Sequence, residues 1–269
     1  MGVTASGIAY KEIGDGPPLL LVNGYAATKD DWDPNFLSGL SAKFRVICPD
    51  NRGVGESPRG DGPLSIASMA VDMVGLLDDL DLESVHLAGW SMGGFIAQTM
   101  VACEPERFES LVILGSDPGG IGADRRAPEI EARLTDTSGS PEEQAKRLID
   151  LLFPPGFAAR VWEAAGAIVT EARAALDPRV LAEQETAMND WYEHADPPIA
   201  KISEHATAVV VPVLIAHGLE DRIIPVRNSR VLSGALQNAW LAPFPGCGHA
   251  FMAQQPERLS RLIAVFLDR

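Results

Sequence analysis

Gly89-Trp90-Ser91-Met92-Gly93-Gly94 is the stretch that decides the fold, because it fits G-x-S-x-G between a strand-like and a helix-like segment. Val85-His86-Leu87-Ala88 before it reads as a short, mostly apolar buried strand. Phe95 to Cys103 after it reads as an apolar helix that stops before Pro105. Ser91 is therefore expected at a strand-to-helix turn so sharp that side chains larger than glycine at 89 and 93 would collide. Such a turn strains the serine backbone and projects its hydroxyl outward. It also leaves the Met92 N–H at a helix N-terminus, aimed where negative charge develops on an attacked carbonyl oxygen. The competing reading is a glycine-rich turn with an ordinary serine; the flanking strand and helix favour a nucleophile.

A hydroxyl needs a base, and the base an orienting group. Of the five histidines, His249 lies in the loop Pro245-Gly246-Cys247-Gly248-His249-Ala250-Phe251, between strand-like Ala239 to Phe244 and a final helix, Pro256 to Leu267. His217 ends the apolar run Val213-Leu214-Ile215-Ala216 and reads as the brace of a turn. His86 sits inside the strand before the serine, and His194 and His205 lie in a polar helical region. His249 is the best base. Cys247, two residues away, is a weaker nucleophile candidate than Ser91.

Strand-like runs alternate with helical ones at Leu19 to Asn23, Arg45 to Pro49, Val85 to Ala88, Ser110 to Gly115, Val209 to Ala216 and Ala239 to Phe244. Between them, Met69, Met73, Leu76, Leu77 and Leu80 mark one face of a helix over 66–80. The alternation predicts an α/β fold with a mostly parallel central sheet and helices on both faces. From about 122 to 205 the rhythm breaks: no strand is evident, while Ser140-Pro141-Glu142-Glu143 is a capping box and Asp177-Pro178 repeats its cap-then-proline start. This stretch reads as a helical insertion.

With 46% hydrophobic residues among 269, the chain can bury a full core. A net charge of -15 argues against nucleic acid and anionic membranes as partners. Cys48, Cys103 and Cys247 are odd in number and widely spaced, which suits reduced, mostly buried thiols and not disulfides or a metal site. No run approaches the roughly 18 apolar residues of a membrane span, and no signal segment is seen, so the expected location is the cytoplasm.

Several motifs in order resemble the α/β-hydrolase superfamily over nearly the whole length. Leu19-Leu20-Leu21-Val22-Asn23-Gly24-Tyr25-Ala26 is similar to its strand and oxyanion loop, with Asn23 in place of the usual histidine and Ala26 in place of glycine or proline. Asp50-Asn51-Arg52-Gly53-Val54-Gly55-Glu56-Ser57 is similar to its Asp-x-Arg-Gly-x-Gly-x-Ser turn, and His217-Gly218-x-x-Asp221-x-x-x-Pro225 to the segment bearing its acid. The resemblance implies a triad in the order Ser91, Asp221, His249, with Asp117 the alternative acid, and an oxyanion hole from the Tyr25 and Met92 N–H groups. It implies a core of 1–121 and 206–269 with a helical cap at 122–205 over the site. Large apolar cap residues are Phe153, Phe157, Trp162, Met188 and Trp191; of these Trp162, Met188 and Trp191 are pocket candidates, together with Trp90 beside the serine. The activity implied is hydrolysis of an ester, thioester, lactone or activated carbon–carbon bond of a small, apolar or aromatic molecule, without cofactor or metal. Members similar in these motifs include enol-lactonases and carbon–carbon hydrolases, and also cofactor-free haloperoxidases, perhydrolases and small-ligand receptors; the motifs leave that choice, and the oligomeric state, open.

Overall fold

The computed structural model describes residues 1–120, 122–193, 211–236 and 238–268. His194, His205 and the expected boundary at 205 lie outside the described residues. An eight-stranded sheet runs in the order β1-β2-β4-β3-β5-β6-β7-β8, formed by Gly2–Val3, Ala9–Ile13, Pro18–Val22, Arg45–Pro49, Val85–Trp90, Phe108–Leu114, Val213–Gly218 and Ala239–Phe244 for β1 to β8. β1 and β2 join antiparallel, and every pairing from β4 to β8 is parallel.

Helices cover both faces because successive strand residues point opposite ways. In β3, Leu19 and Leu21 pack with Phe36 and Leu40 of α1 (Pro34–Ser41) and with Leu259 and Ile263 of α10 (Pro256–Leu267). Leu20 and Val22 pack on the other face with Met69 and Met73 of α2 (Ile66–Asp79) and with Phe95 and Ile96 of α3 (Met92–Cys103). β6 repeats the division, Leu111 and Ile113 to one side, Val112 and Leu114 to the other.

Between β6 and β7 come α4 (Pro128–Leu134), α5 (Pro141–Leu152), α6 (Pro155–Ala174) and α7 (Pro178–Glu193). The cap signatures start two of them: at α5 the Ser140 hydroxyl accepts from Glu143 N while Glu143 bonds back to Ser140 N, and at α7 Asp177 accepts from Arg179 N. α8 (Arg227–Ala235) and the short α9 (Phe251–Gln254) flank β8. Among the described residues, no helix is long and apolar enough to cross a membrane.

Strand order places the site. The chain leaves β3 toward one edge, to β4, and after β5 proceeds toward the other through β6, β7 and β8. Loops following β3 and β5 therefore diverge and leave a crevice at the carboxyl ends of the strands. Ser91 follows β5 and Tyr25 follows β3.

Several boundaries shift by a few residues from the sequence reading, and residues 209–210 of the run read as Val209 to Ala216 lie outside the described residues. β5 runs on through Gly89 and Trp90, which pair with Ile113 and Leu114 of β6, and α3 begins at Met92, so the turn is a single residue. Glycines at 89, 93 and 94 hide the boundary from propensity, although they serve close packing and not flexibility. β7 starts at Val213 because Pro212 has no N–H for the ladder.

A Cβ on Gly93 would stand 2.2 Å from the Val22 carbonyl oxygen, whereas one on helical Gly75 would meet open space. Gly93→Ala is expected to destabilise the fold by about 2 to 4 kcal/mol, and Gly75→Ala to stabilise it by about 0.5 to 1 kcal/mol, read from urea midpoints.

Candidate active site

Ser91 stands alone between strand and helix at φ 56° and ψ -123°, a conformation that side-chain sterics make costly by about 1 to 3 kcal/mol. Three hydrogen bonds hold it. Ser91 N donates to the Leu114 carbonyl at 2.9 Å, and its own carbonyl accepts from Gly94 N at 2.9 Å and from Ser116 Oγ at 2.8 Å. A Cβ at Gly89 would fall 2.2 Å from the Gly93 carbonyl oxygen, so the sequence-level argument for glycine at both positions is met in the backbone geometry. The Met92 N–H opens the first turn of α3, where donors lack intrahelical partners.

Asp221 and His249 are in direct contact, His249 Nδ1 lying 2.7 Å from Asp221 Oδ2. An ionised carboxylate only accepts, so the ring proton belongs on Nδ1, and Nε2 of the neutral ring is left with a free lone pair. Trp90 secures this histidine: its indole N–H donates to the His249 carbonyl at 3.1 Å, and its ring lies against the imidazole with centroids 5.1 Å apart. Because Trp90 immediately precedes Ser91, the elbow and the histidine loop are bound as neighbours. The Ser91 hydroxyl itself forms no hydrogen bond among the described residues.

Asp221 is fully buried, with every approach occupied by a donor. Oδ1 accepts from the N–H groups of Ile223 (2.8 Å) and Ile224 (2.9 Å); Oδ2 faces His249 and, at 3.1 Å, Nε2 of His217. Burial alone would raise its pKa, but the two imidazoles outweigh it and hold the carboxyl below the ordinary range. His217 does brace the turn, its Nε2 lying 3.0 Å from the Ile224 carbonyl. That it also reaches the acid was not read from the sequence. The four-residue spacing of His217 and Asp221 across a turn was the available sign.

The loop after β3 explains how Asn23 stands where histidine is usual. Asn23 Nδ2 donates to the Thr28 carbonyl at 2.6 Å, and its Oδ1 accepts from Gly24 N at 2.9 Å, closing the loop on itself. Ala26 sits at φ 57° and donates its N–H to Gln184 Oε1 of α7 at 3.0 Å. The Tyr25 phenol is pushed up to about 12 by burial, with the charges of Arg173 and Arg126 pulling the other way. Gln184, Arg173 and Arg126 are residues that the sequence reading did not single out; nothing in their local pattern marks them.

Asp117 is equally buried but belongs to a different contact. Its oxygens accept from Trp191 Nε1 and Tyr192 OH, each at 2.8 Å, and from Gly119 N at 2.9 Å, and burial raises its pKa. Trp191 stacks flat on Phe95 of α3 at 4.8 Å, so it and buried Met188 join α7 to the core. Trp162 packs over Gly166 one turn along α6. Cys247 is buried, its thiol raised by desolvation; Cys103 is exposed.

The two aspartates are expected to affect acid stability with opposite signs. Asp221 titrates lower in the folded chain, so its stabilisation is complete above the ordinary carboxylate range and is lost as pH falls toward its folded value; Asp117 titrates higher, so its cost is present at neutral pH and relieved on acidification. In urea unfolding the deficit of Asp221→Asn relative to the parent should therefore hold nearly constant from about pH 8 to about pH 4 and shrink only below about pH 4, while Asp117→Asn should lose ground to the parent on acidification from about pH 8 to about pH 4.

The sequence model for the alpha/beta hydrolase fold matches residues 17–256. The chain is 30% identical over 266 residues to RutD of Azorhizobium caulinodans, provisionally named a carbamate hydrolase, covering 96% of this chain and 94% of that one. It is also 30% identical over 266 residues to 2-hydroxymuconate semialdehyde hydrolase of Pseudomonas putida, covering 94% and 88%. In fold it is similar to the meta-cleavage product hydrolase of Pseudomonas fluorescens IP01, with a TM-score of 0.84 at 23% identity over 99% of this chain and 96% of that one. With the sheet, the strained serine turn and these matches together, the chain belongs to the α/β-hydrolase fold family.

Proposed function

We propose that this chain is a serine hydrolase that cleaves an ester, thioester, lactone or activated carbon–carbon bond of a small molecule, with Ser91, His249 and Asp221 as its triad. The observation that carries the reading is the 2.7 Å bond from His249 Nδ1 to Asp221, held beside the Ser91 turn by Trp90. That bond fixes the tautomer that leaves Nε2 able to take a proton.

Ser91 Oγ attacks the substrate carbonyl as His249 Nε2 accepts its proton, and the carbonyl oxygen becomes an oxyanion. The N–H groups of Met92 and Tyr25 stabilise it; the first stands at a helix N-terminus, and the second has no acceptor among the described residues. As the tetrahedral species collapses, His249 gives the proton to the leaving group and an acyl-enzyme remains. Water then repeats the sequence, His249 accepting its proton and returning it to Ser91. Asp221 stays ionised throughout and stabilises the imidazolium, which its burial among four donors supports.

We assign the helices from 122 to 205 to a cap over the crevice, with 1–121 and 206–269 as the core. Bonds from α7 to Asp117 and to Ala26 support that arrangement. Trp90, whose ring lies against His249, would supply apolar surface near the substrate, whereas Trp191 and Met188 are taken up by the contact of α7 with the core and Trp162 packs over Gly166. The names of the two relatives support hydrolysis of a small molecule and do not choose the bond.

Ser91→Ala is expected to lower kcat for a reactive aryl ester by roughly 10⁴ to 10⁶, and Asp221→Asn by on the order of 10³ to 10⁴, in folded protein. Asp117→Asn should lose far less. Equal rates for Ser91→Ala and the parent in a purified sample would remove the mechanism; larger loss in Asp117→Asn than in Asp221→Asn would move the acid.

A further inference from the structure

Two guanidinium groups and one carboxamide are buried around the Tyr25 loop with donors left unbonded. Arg173 in the last turn of α6 is 9% exposed, Arg126 before α4 is 6% exposed, and Gln184 of α7 is fully buried. Arg173 Nε has no partner, and its Nη2 makes one long contact, 3.5 Å, with Gln144 Oε1. Among the described residues Arg173 forms no ion pair with a carboxylate. Arg126 Nε is 2.9 Å from Glu131 Oε2 yet out of line for a hydrogen bond, and its Nη1 is unbonded. Gln184 directs its oxygen to Ala26 N and leaves Nε2 unbonded and buried.

Gln184 is the member of this group bonded to the Tyr25 loop, through Ala26 N. Both arginine charges act on the Tyr25 phenol. Burying a cation without its anion is expensive, as is burying an unbonded amide. A chain with 37 acidic and 22 basic residues has carboxylates to spare for neutralising an arginine, yet among the described residues none pairs with Arg173. The shape of the deficit, cationic and donor-rich next to an oxyanion loop, matches a ligand that brings its own anionic acceptors.

We propose that the substrate carries a carboxylate and that Arg173, with Gln184 Nε2 and Arg126, binds it on the Tyr25 side of the crevice while the scissile carbonyl faces Ser91. This deepens the serine-hydrolase reading and rests on it. The formal net charge of -15 repels anions at long range, so any preference for an anionic substrate must arise from this local cluster.

The test compares the mono-para-nitrophenyl ester of glutaric acid with the matching ester of glutaric acid monoamide, which has the same shape without the charge. The parent protein should favour the acid-bearing ester in kcat/KM, and that ratio should fall by about 10- to 100-fold in Arg173→Met, mainly through KM. Gln184→Glu keeps the acceptor for Ala26 N, replaces the unbonded donor by a carboxylate, and should lower the same ratio even if Arg173→Met fails to fold. A merely structural role for Arg173, as a cation at the α6 C-terminus, would slow both esters alike and leave the ratio unmoved. An unmoved ratio, or a parent that prefers the amide, overturns the carboxylate site and leaves the hydrolase reading standing. If the parent turns over neither ester, the hydrolase reading is what fails, and calorimetry with glutarate decides the site. Heat of binding that disappears in Gln184→Glu supports the site, and no binding to the parent overturns it.

Discussion

The molecule depends on one backbone conformation that it cannot relax. Ser91 at φ 56° is held because strand β5 and helix α3 meet with no residue to spare between them, and the Leu114 carbonyl and Ser116 hydroxyl clamp it from the neighbouring strand and its loop. The strain is sustained by the sheet, since loosening the turn would break its bonds to β6 and separate Gly93 from the β3 backbone on which it packs. What the strain secures is direction. A serine in ordinary helical or extended backbone at this point would not present its hydroxyl at the rim where β3 and β5 diverge.

Electrostatics distinguishes two aspartates that sequence alone ranks only by motif. Asp117 and the side chain of Asp221 are both fully buried after neighbouring parallel strands. Asp117 faces an indole, a phenol and an amide, neutral donors that do not offset desolvation, and its carboxyl is raised. Asp221 faces two amides and two imidazoles, and its carboxyl is lowered. Only the second environment suits a permanent counter-charge for a histidine that becomes cationic during a reaction. The first suits a structural anchor, and the parts it anchors are Trp191 and Tyr192 of α7.

Much of this was legible in the sequence where the constraint is local. The six strand-like runs, the capping box at Ser140 and the glycines at 89 and 93 each record a requirement of a few adjacent residues, and the structure agrees to within a few positions. Legibility failed where a contact joins distant segments. His217 reads as a turn brace, which it is, but its second contact with Asp221 depends on how the turn folds back. Gln184 lies 158 positions from Ala26, and no periodicity within α7 distinguishes it from any other buried polar residue. Asn23 looked like a defect in the oxyanion loop. Its amide supplies both a donor and an acceptor, so one side chain closes the loop to Thr28 and Gly24.

The helices between β6 and β7 are tied to the loops that bear the proposed reacting groups and not only to apolar surface. The Leu152 carbonyl at the end of α5 accepts from Ala250 N at 3.2 Å, next to His249. Gln184 of α7 accepts from Ala26 N, next to Tyr25, and Trp191 of the same helix is bound through Asp117 to the loop after β6. A substrate large enough to push α5 or α7 outward would have to break a bond to the histidine loop or to the oxyanion loop as it entered. Access and alignment are thus mechanically linked. The same backbone groups that keep the helices seated keep His249 and Tyr25 in place, so under the proposed mechanism a ligand that seats the helices more firmly would also fix the groups that act on it.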